Sequence, residues 1–457
     1  MTRAAVLPAA AALLIAPASA QAHGLGQRAD VPLPLGLFAG TAVLVLALSF
    51  LALALLWHTP QLSERTGRAV PAPPGWLDPL CGALGVAGFV ALVACGLLGS
   101  QEPGANLLPT AVYVVLWVLV PVASALAGDV FRPLNPWRAL GRLVARRRRR
   151  TPRPYPERLG AWPAVAGLLA FGWLELVAAG GERPATLAWA ALAYAAVQLA
   201  GMARYGVEPW TARGDAFAVY FGLFARMAPV GTRDGRLVLR RPLSGLSAPP
   251  WPAGAAALVC TAIGITAFDG ASTGTAWNTL AIEVEARLRG LGLDRPDALE
   301  LTYTLGLLLA VALVGLVYTL GIAGLREREG GLTPFRWYAG SLVPIALAYV
   351  VAHYFSFAVF QGQALPELAS DPAGRGWDLL GGAGSRIDYD VLSARVIWSV
   401  QAAALVCGHV IGLVVAHDRA LVANRSAGAA VRSQLAMLAV MVAFTTAGLW
   451  LLSAANG

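Results

Sequence analysis

The chain contains no lysine, so all 34 of its basic residues are arginine. Charge of either sign is scarce, at 13% of 457 residues, whereas 57% are hydrophobic. A water-soluble domain cannot hide that proportion of apolar surface, which excludes a soluble globular fold and implies a polytopic membrane protein. The four cysteines, Cys81, Cys95, Cys260 and Cys407, lie in or at the ends of apolar stretches and none in a long polar loop. That placement excludes a disulfide framework. There is no His-Glu-x-x-His, no paired Cys-x-x-Cys and no phosphate-binding glycine loop. Any chemistry must therefore come from isolated polar residues inside apolar segments, and only five histidines are available, at positions 23, 58, 353, 409 and 417.

What is abundant is apolar sequence, with 50 glycines and 30 prolines that suit broken or closely packed membrane helices. Ten stretches are long enough to cross a bilayer as helices: 35–57, 80–99, 109–127, 161–180, 186–203, 252–268, 301–323, 338–360, 395–416 and 434–453. The expected fold is all-α, a transmembrane helix bundle forming a single integral membrane domain over residues 23–457. Residues 1–22 read as a cleaved secretory signal, with Arg3, a short apolar run and small residues at Ala18, Ala20 and Ala22. Cleavage after Ala22 would leave His23 as a terminal residue able to chelate copper through its amine and ring.

A cleaved signal puts the mature N-terminus outside, and ten crossings return the C-terminus to the same side of the plasma membrane. The intervening segments on the cytoplasmic side (58–78, 128–160, 204–250, 324–336 and 417–433) then hold 25 of the 34 arginines, a strong positive-inside pattern. The formal charge of +9 thus reflects topology. The Arg146–Arg150 run is read as an anchor on anionic lipid, and no nucleic-acid partner is expected. Residues 214–230 carry Phe217, Tyr220, Phe221 and Phe224 at helical spacing, which predicts an amphipathic helix on the inner membrane surface. Glu283–Gly290 is expected to form a short helix in an outer loop.

A histidine or carboxylate inside a membrane helix is costly unless it meets a cavity, a partner or a metal. His353, Gln401 and Glu175 each lie about 7–10 Å inside the outer ends of their spans, by the rise of an α-helix. Asp269 closes its span on the same side, and Gln361 and Gln363 follow the span that carries His353. Convergence of these groups would make a cavity open to the outside. Asp269 and His353, with His23 at the mouth, would hold a transition metal such as copper or zinc, and Glu175 would act as general base. His409, near the inner end of its span, with His417 and Asp418 beyond it, would mark a pathway inward for protons or a metal ion.

Segments along nearly the whole chain resemble a bacterial membrane family labelled fenitrothion hydrolase. They include Ala22-His23-Gly24-Leu25, Gly128-Asp129-Val130-Phe131-Arg132, Asn135-Pro136-Trp137-Arg138, Tyr220-Phe221-Gly222-Leu223-Phe224-Ala225-Arg226 and Phe268-Asp269-Gly270. Tyr155-Pro156-Glu157-Arg158-Leu159-Gly160, His353-Tyr354-Phe355-Ser356, Phe360-Gln361-Gly362-Gln363, Gly408-His409 and Ala416-His417-Asp418 complete the set. The resemblance implies location in the bacterial plasma membrane and hydrolysis of a small hydrophobic organophosphate ester, a reaction that usually needs a metal-activated water. Two other readings of the same residues stand beside it: a copper or proton-coupled transporter, and an assembly factor that delivers metal to a membrane partner protein.

Overall fold

The structure, a computed structural model, describes residues 35–62, 67–147, 151–233, 236–247, 251–325 and 333–455. The signal segment and His23 lie outside the described residues. The first helix is α1 (Leu35–Leu56), followed by α2 (Leu77–Leu98), α3 (Leu107–Ala127) and an arginine-rich amphipathic helix α4 (Pro136–Arg147). Next come α5 (Trp162–Leu176), α6 (Pro184–Tyr205) and two short helices, α7 (Val207–Thr211) and α8 (Ala216–Ala225). The second half comprises α9 (Ala255–Ser272), a surface helix α10 (Thr275–Gly290), α11 (Arg295–Ile322), α12 (Ala339–Gln361), α13 (Ala394–Ala423) and α14 (Leu435–Ala455).

Eight of these helices are long and apolar enough to cross a membrane. The pair Ala427–Ser433 and Leu435–Trp450, bent by 44°, makes a ninth, and α1 contributes 17 apolar residues from Gly40 onward. All ten expected stretches are helical. α9 and α12 are the most enclosed helices, with α8 wedged beside them, whereas α2 and the outer face of α11 present leucines to the surroundings. That pattern suits a bundle whose outside meets lipid.

Small residues set the closest approaches. α12 and α13 form the most extensive helix pair, and they touch through Gly408 and Gly412. A Cβ at Gly408 would fall 2.2 Å from the Ala348 Cβ, and one at Gly412 would fall 2.8 Å from the Ser341 carbonyl. This Gly-x-x-x-Gly spacing removes side chains from one stripe, so that backbones meet and dispersion contacts replace the hydrophobic drive missing in lipid.

Contacts between the connecting segments sort them into two sets, at opposite ends of the bundle. At the arginine-rich end, buried Arg138 donates to Asp78 at 3.0 Å and to Glu208 at 3.2 Å, and Arg132 and Arg142 join the same carboxylates. Burial pushes the Glu208 carboxyl up, but the guanidiniums of Arg138, Arg142 and Arg132 outweigh it and hold the group below its ordinary range. Arg336 donates twice to the Trp251 carbonyl, and Arg419 donates to the Ser247 carbonyl at 2.6 Å while lying over the Trp337 ring. A three-stranded antiparallel sheet sits at this end, with β1 (Arg68–Ala69), β2 (Val230–Arg233) and β3 (Arg236–Leu239) in the order β1-β3-β2. At the other end, Arg375 donates to the Leu98 carbonyl at 2.8 Å and the Leu107 amide to the Pro372 carbonyl. The segments joined within each set are those that the arginine distribution places on one side.

One expectation needs correction. Residues 216–225 do not lie on the membrane surface: apart from half-buried Gly222, every residue of α8 is buried, packed against α3, α5 and α12. The spacing of Phe217, Tyr220, Phe221 and Phe224 does define one face, but the remaining positions are apolar too, and a helix apolar all round belongs in a core. Asp215 starts α8 by accepting from the Ala218 amide, and it also accepts from Asn135 Nδ2 at 2.8 Å and the Tyr194 hydroxyl at 2.7 Å. Burial pushes the Asp215 carboxyl up against these donors. α10 is likewise longer than expected, because its helical pattern begins at Thr275 rather than near Glu283.

A candidate intramembrane carboxylate–imidazole site

Glu175, Asp269 and His353 come together, from α5, α9 and α12. The approach of α5 to α9 depends on Gly172, where a Cβ would fall 2.6 Å from the Ile265 side chain. Glu175 lies one turn beyond Gly172, and Asp269 one turn beyond Ile265, so a close crossing at the first pair carries the two carboxylates into electrostatic range.

Asp269 Oδ2 takes two hydrogen bonds. His353 Nε2 approaches it at 2.9 Å, and the Tyr354 hydroxyl donates to it at 2.8 Å. Since Asp269 accepts, the network assigns the imidazole hydrogen to Nε2. Bonds of this charge-assisted kind contribute about 1.5–3 kcal/mol each, which is what allows a carboxylate to sit at the end of an otherwise apolar helix. His353 is the open member, with 25% of its side chain exposed against 9% for Asp269. The cluster is therefore reached from the imidazole side, with the carboxylates behind it.

Glu175 carries the least satisfied group. Its Oε2 is buried with no hydrogen-bond partner among the described residues, and the same is true of the Tyr220 hydroxyl from α8. Tyr220, Tyr354 and Tyr113 all lie within electrostatic range of Glu175. Trp117 stacks on Tyr220 with ring centroids 5.3 Å apart and meets the edge of Tyr354 at 6.5 Å. It belongs to a π-helical stretch of α3, Ala111–Leu119, where i→i+5 bonding widens the helix; such stretches recur at functional sites. Tyr354, Tyr220 and Trp117 were not among the site residues expected from the sequence. The signal available for Tyr354 was its position next to His353; Tyr220 stood out only as part of an aromatic stripe, and Trp117, on another remote helix, gave none.

The remaining candidates go elsewhere. Gln363 pins a loop to the end of α12, donating to the carbonyls of Val359 and Asp388 and accepting from the Asp388 amide. Gln361 ends α12 half-buried, and Gln401 is buried on α13. His409 is fully buried on α13, with Nδ1 donating to the Leu405 carbonyl at 2.8 Å. His417 and Asp418 serve a tether at the arginine-rich end. Asp418 Oδ1 accepts from the Trp57 ring nitrogen at 3.3 Å and from the amides of Gln61 at 2.6 Å and Leu62 at 3.1 Å. His417 Nε2 donates to the Trp57 carbonyl at 3.0 Å, and its Nδ1 accepts from Gln434 at 3.1 Å. These bonds hold the segment leaving α1 against α13.

The donor set was tested against the metal that the sequence suggested. Asp269 and His353 supply two donors, Asp269 Oδ2 already faces both His353 and Tyr354, and His23 lies outside the described residues. Among the described residues no three of His, Cys, Asp and Glu are arranged to hold an ion. Zinc and catalytic metal sites generally take at least three protein ligands, so the described residues of this cluster do not make a complete one. What it can do is hold and pass a proton: imidazole, phenol and two carboxylates in one apolar setting exchange hydrogen among themselves. Compared with protein-family models, with curated proteins and with solved structures, the chain matches none.

Proposed function

We propose that this chain is a multi-pass membrane transporter coupled to proton movement, with Glu175, Asp269 and His353 as the proton-exchanging groups. The observation that carries the reading is the orphaned Glu175 oxygen, buried within range of an Asp269 that is already committed to His353 and Tyr354. Two like charges repel strongly in a low-dielectric interior, so the pair is suited to holding one proton and releasing it when its surroundings change. His353 is the exit toward the open side. The short buried α8, the π-stretch of α3 and the bend between Ala427–Ser433 and α14 are interruptions of the kind that transporters place around their sites.

The test is proton movement in proteoliposomes holding a pH-sensitive dye, after an external acid pulse. Wild-type vesicles are expected to acidify several-fold faster than vesicles with Glu175→Gln or His353→Ala. Equal rates in wild type and both variants would sink the proposal.

A second reading rests on the dyad itself. An imidazole oriented by a carboxylate is the arrangement of a general base, and the family resemblance implies ester hydrolysis. On that reading the purified protein releases nitrophenol from a nitrophenyl phosphotriester, His353→Ala abolishes release and His409→Ala leaves it intact. No release by the wild-type protein, with or without added zinc or copper, would dismiss it.

A further inference from the structure

His409 does not join the carboxylate cluster. It lines a separate cavity of about 40 Å³ enclosed by α9, α11, α12, α13 and α14. The ring is fully buried, and its Nε2 has no hydrogen-bond partner among the described residues. Because Nδ1 donates to the Leu405 carbonyl, the hydrogen is fixed there and Nε2 carries a free lone pair. A backbone carbonyl holding one ring nitrogen while the other stays free is the support that metal-binding histidines receive.

The same cavity is lined by Met437 and Met441, which are 4% and 5% exposed. They are four residues apart on α14, so their side chains share a face one turn apart. The chain has only five methionines, and two of them line this cavity with His409. The oxygen groups around the cavity are already engaged: the Tyr318 hydroxyl donates to the Phe335 carbonyl and the Ser341 hydroxyl to the Tyr338 carbonyl. Among the described residues no carboxylate lines the cavity.

We infer that His409, Met437 and Met441 form a buried binding site for a soft monovalent cation, Cu(I). Thioether sulfur selects soft ions, and imidazole completes a three-donor set for Cu(I) without any oxygen ligand. Neutral ligands in an apolar cavity disfavour a divalent ion, whose desolvation they could not offset. The inference deepens the transport reading by naming its cargo and rests on that reading only for the cargo role.

The experiment is anaerobic competition between the detergent-purified protein and a colorimetric Cu(I) chelator, repeated with Ag(I) as a redox-inert probe. Wild type is expected to hold one equivalent. The double variant Met437→Leu/Met441→Leu, which conserves side-chain volume, is expected to bind at least tenfold more weakly, as is His409→Ala. Circular dichroism confirms that each variant is folded. No competition by wild type, or equal affinity in the double variant, overturns the site. Binding is measured without a gradient, so the site can stand where proton flux fails, and flux can persist where binding is absent.

Discussion

Removing the Asp418 carboxylate tests whether this residue tethers α1 or belongs to a pathway. Its Oδ1 accepts from two backbone amides, Gln61 and Leu62, and from the Trp57 ring nitrogen. Asp418 is 2% exposed and Leu62 is 7% exposed, whereas Gln61 is at the surface. In Asp418→Ala the Leu62 amide is left buried without an acceptor, at about 1–3 kcal/mol, while Gln61 can turn to water and contributes less. A total of about 3 kcal/mol, at 1.4 kcal/mol per decade, corresponds to roughly a hundredfold loss of local protection. Amide hydrogen exchange followed by mass spectrometry in detergent should show that loss over residues 57–62, with α9 and α12 unchanged. Asp418→Asn keeps an acceptor oxygen without the charge and should fall between the two. A change below threefold in Asp418→Ala would refute the tether, and loss of proton flux with protection intact would restore the pathway.

Three further outcomes follow from the packing and the charges. Gly408→Ala brings a Cβ within 2.2 Å of Ala348, so overpacking should destabilise the α12–α13 pair by about 1–3 kcal/mol. Thermal unfolding should show it, while Gly315→Ala, where nothing lies within 4 Å, should be neutral or stabilising. Glu208 has a folded-state pKa held below its ordinary 4.5, so its stabilisation is present above that value and lost as pH falls through the lower, folded value. The gap in melting temperature between wild type and Glu208→Gln should therefore be seen at pH 7 and close under acid; a gap that widens under acid would reverse the assignment. Tyr354→Phe removes a donor to Asp269 and should slow proton movement less than His353→Ala, because the imidazole bond remains.

The helices were legible because a bilayer demands runs of apolar residues long enough to span it; eight helices meet that demand, a bent pair makes a ninth, and the described apolar part of α1 is shorter. The alternation of arginine-rich segments likewise sorted the loops into the two sets that touch one another, since charge cannot be left in the hydrocarbon. Helix rise alone placed Glu175, Asp269 and His353 at similar depth, and these three do converge. What no one-dimensional pattern held was rotation about each helix axis. That rotation turns Gln401 and His409 away from the cluster, brings Tyr220 and Trp117 into it from α8 and α3, and sets His417 and Asp418 against the chain leaving α1. It is decided by which backbones approach most closely, at Gly172, Gly408 and Gly412, and those contacts join helices far apart in sequence. Burial of α8 was hidden for the same reason: a ten-residue apolar helix reads alike on a membrane surface and in a core, and only the neighbours that cover it settle which. Thus composition and the bilayer determined the apolar helices and the grouping of their connecting segments, whereas close packing between distant segments decided which polar groups meet.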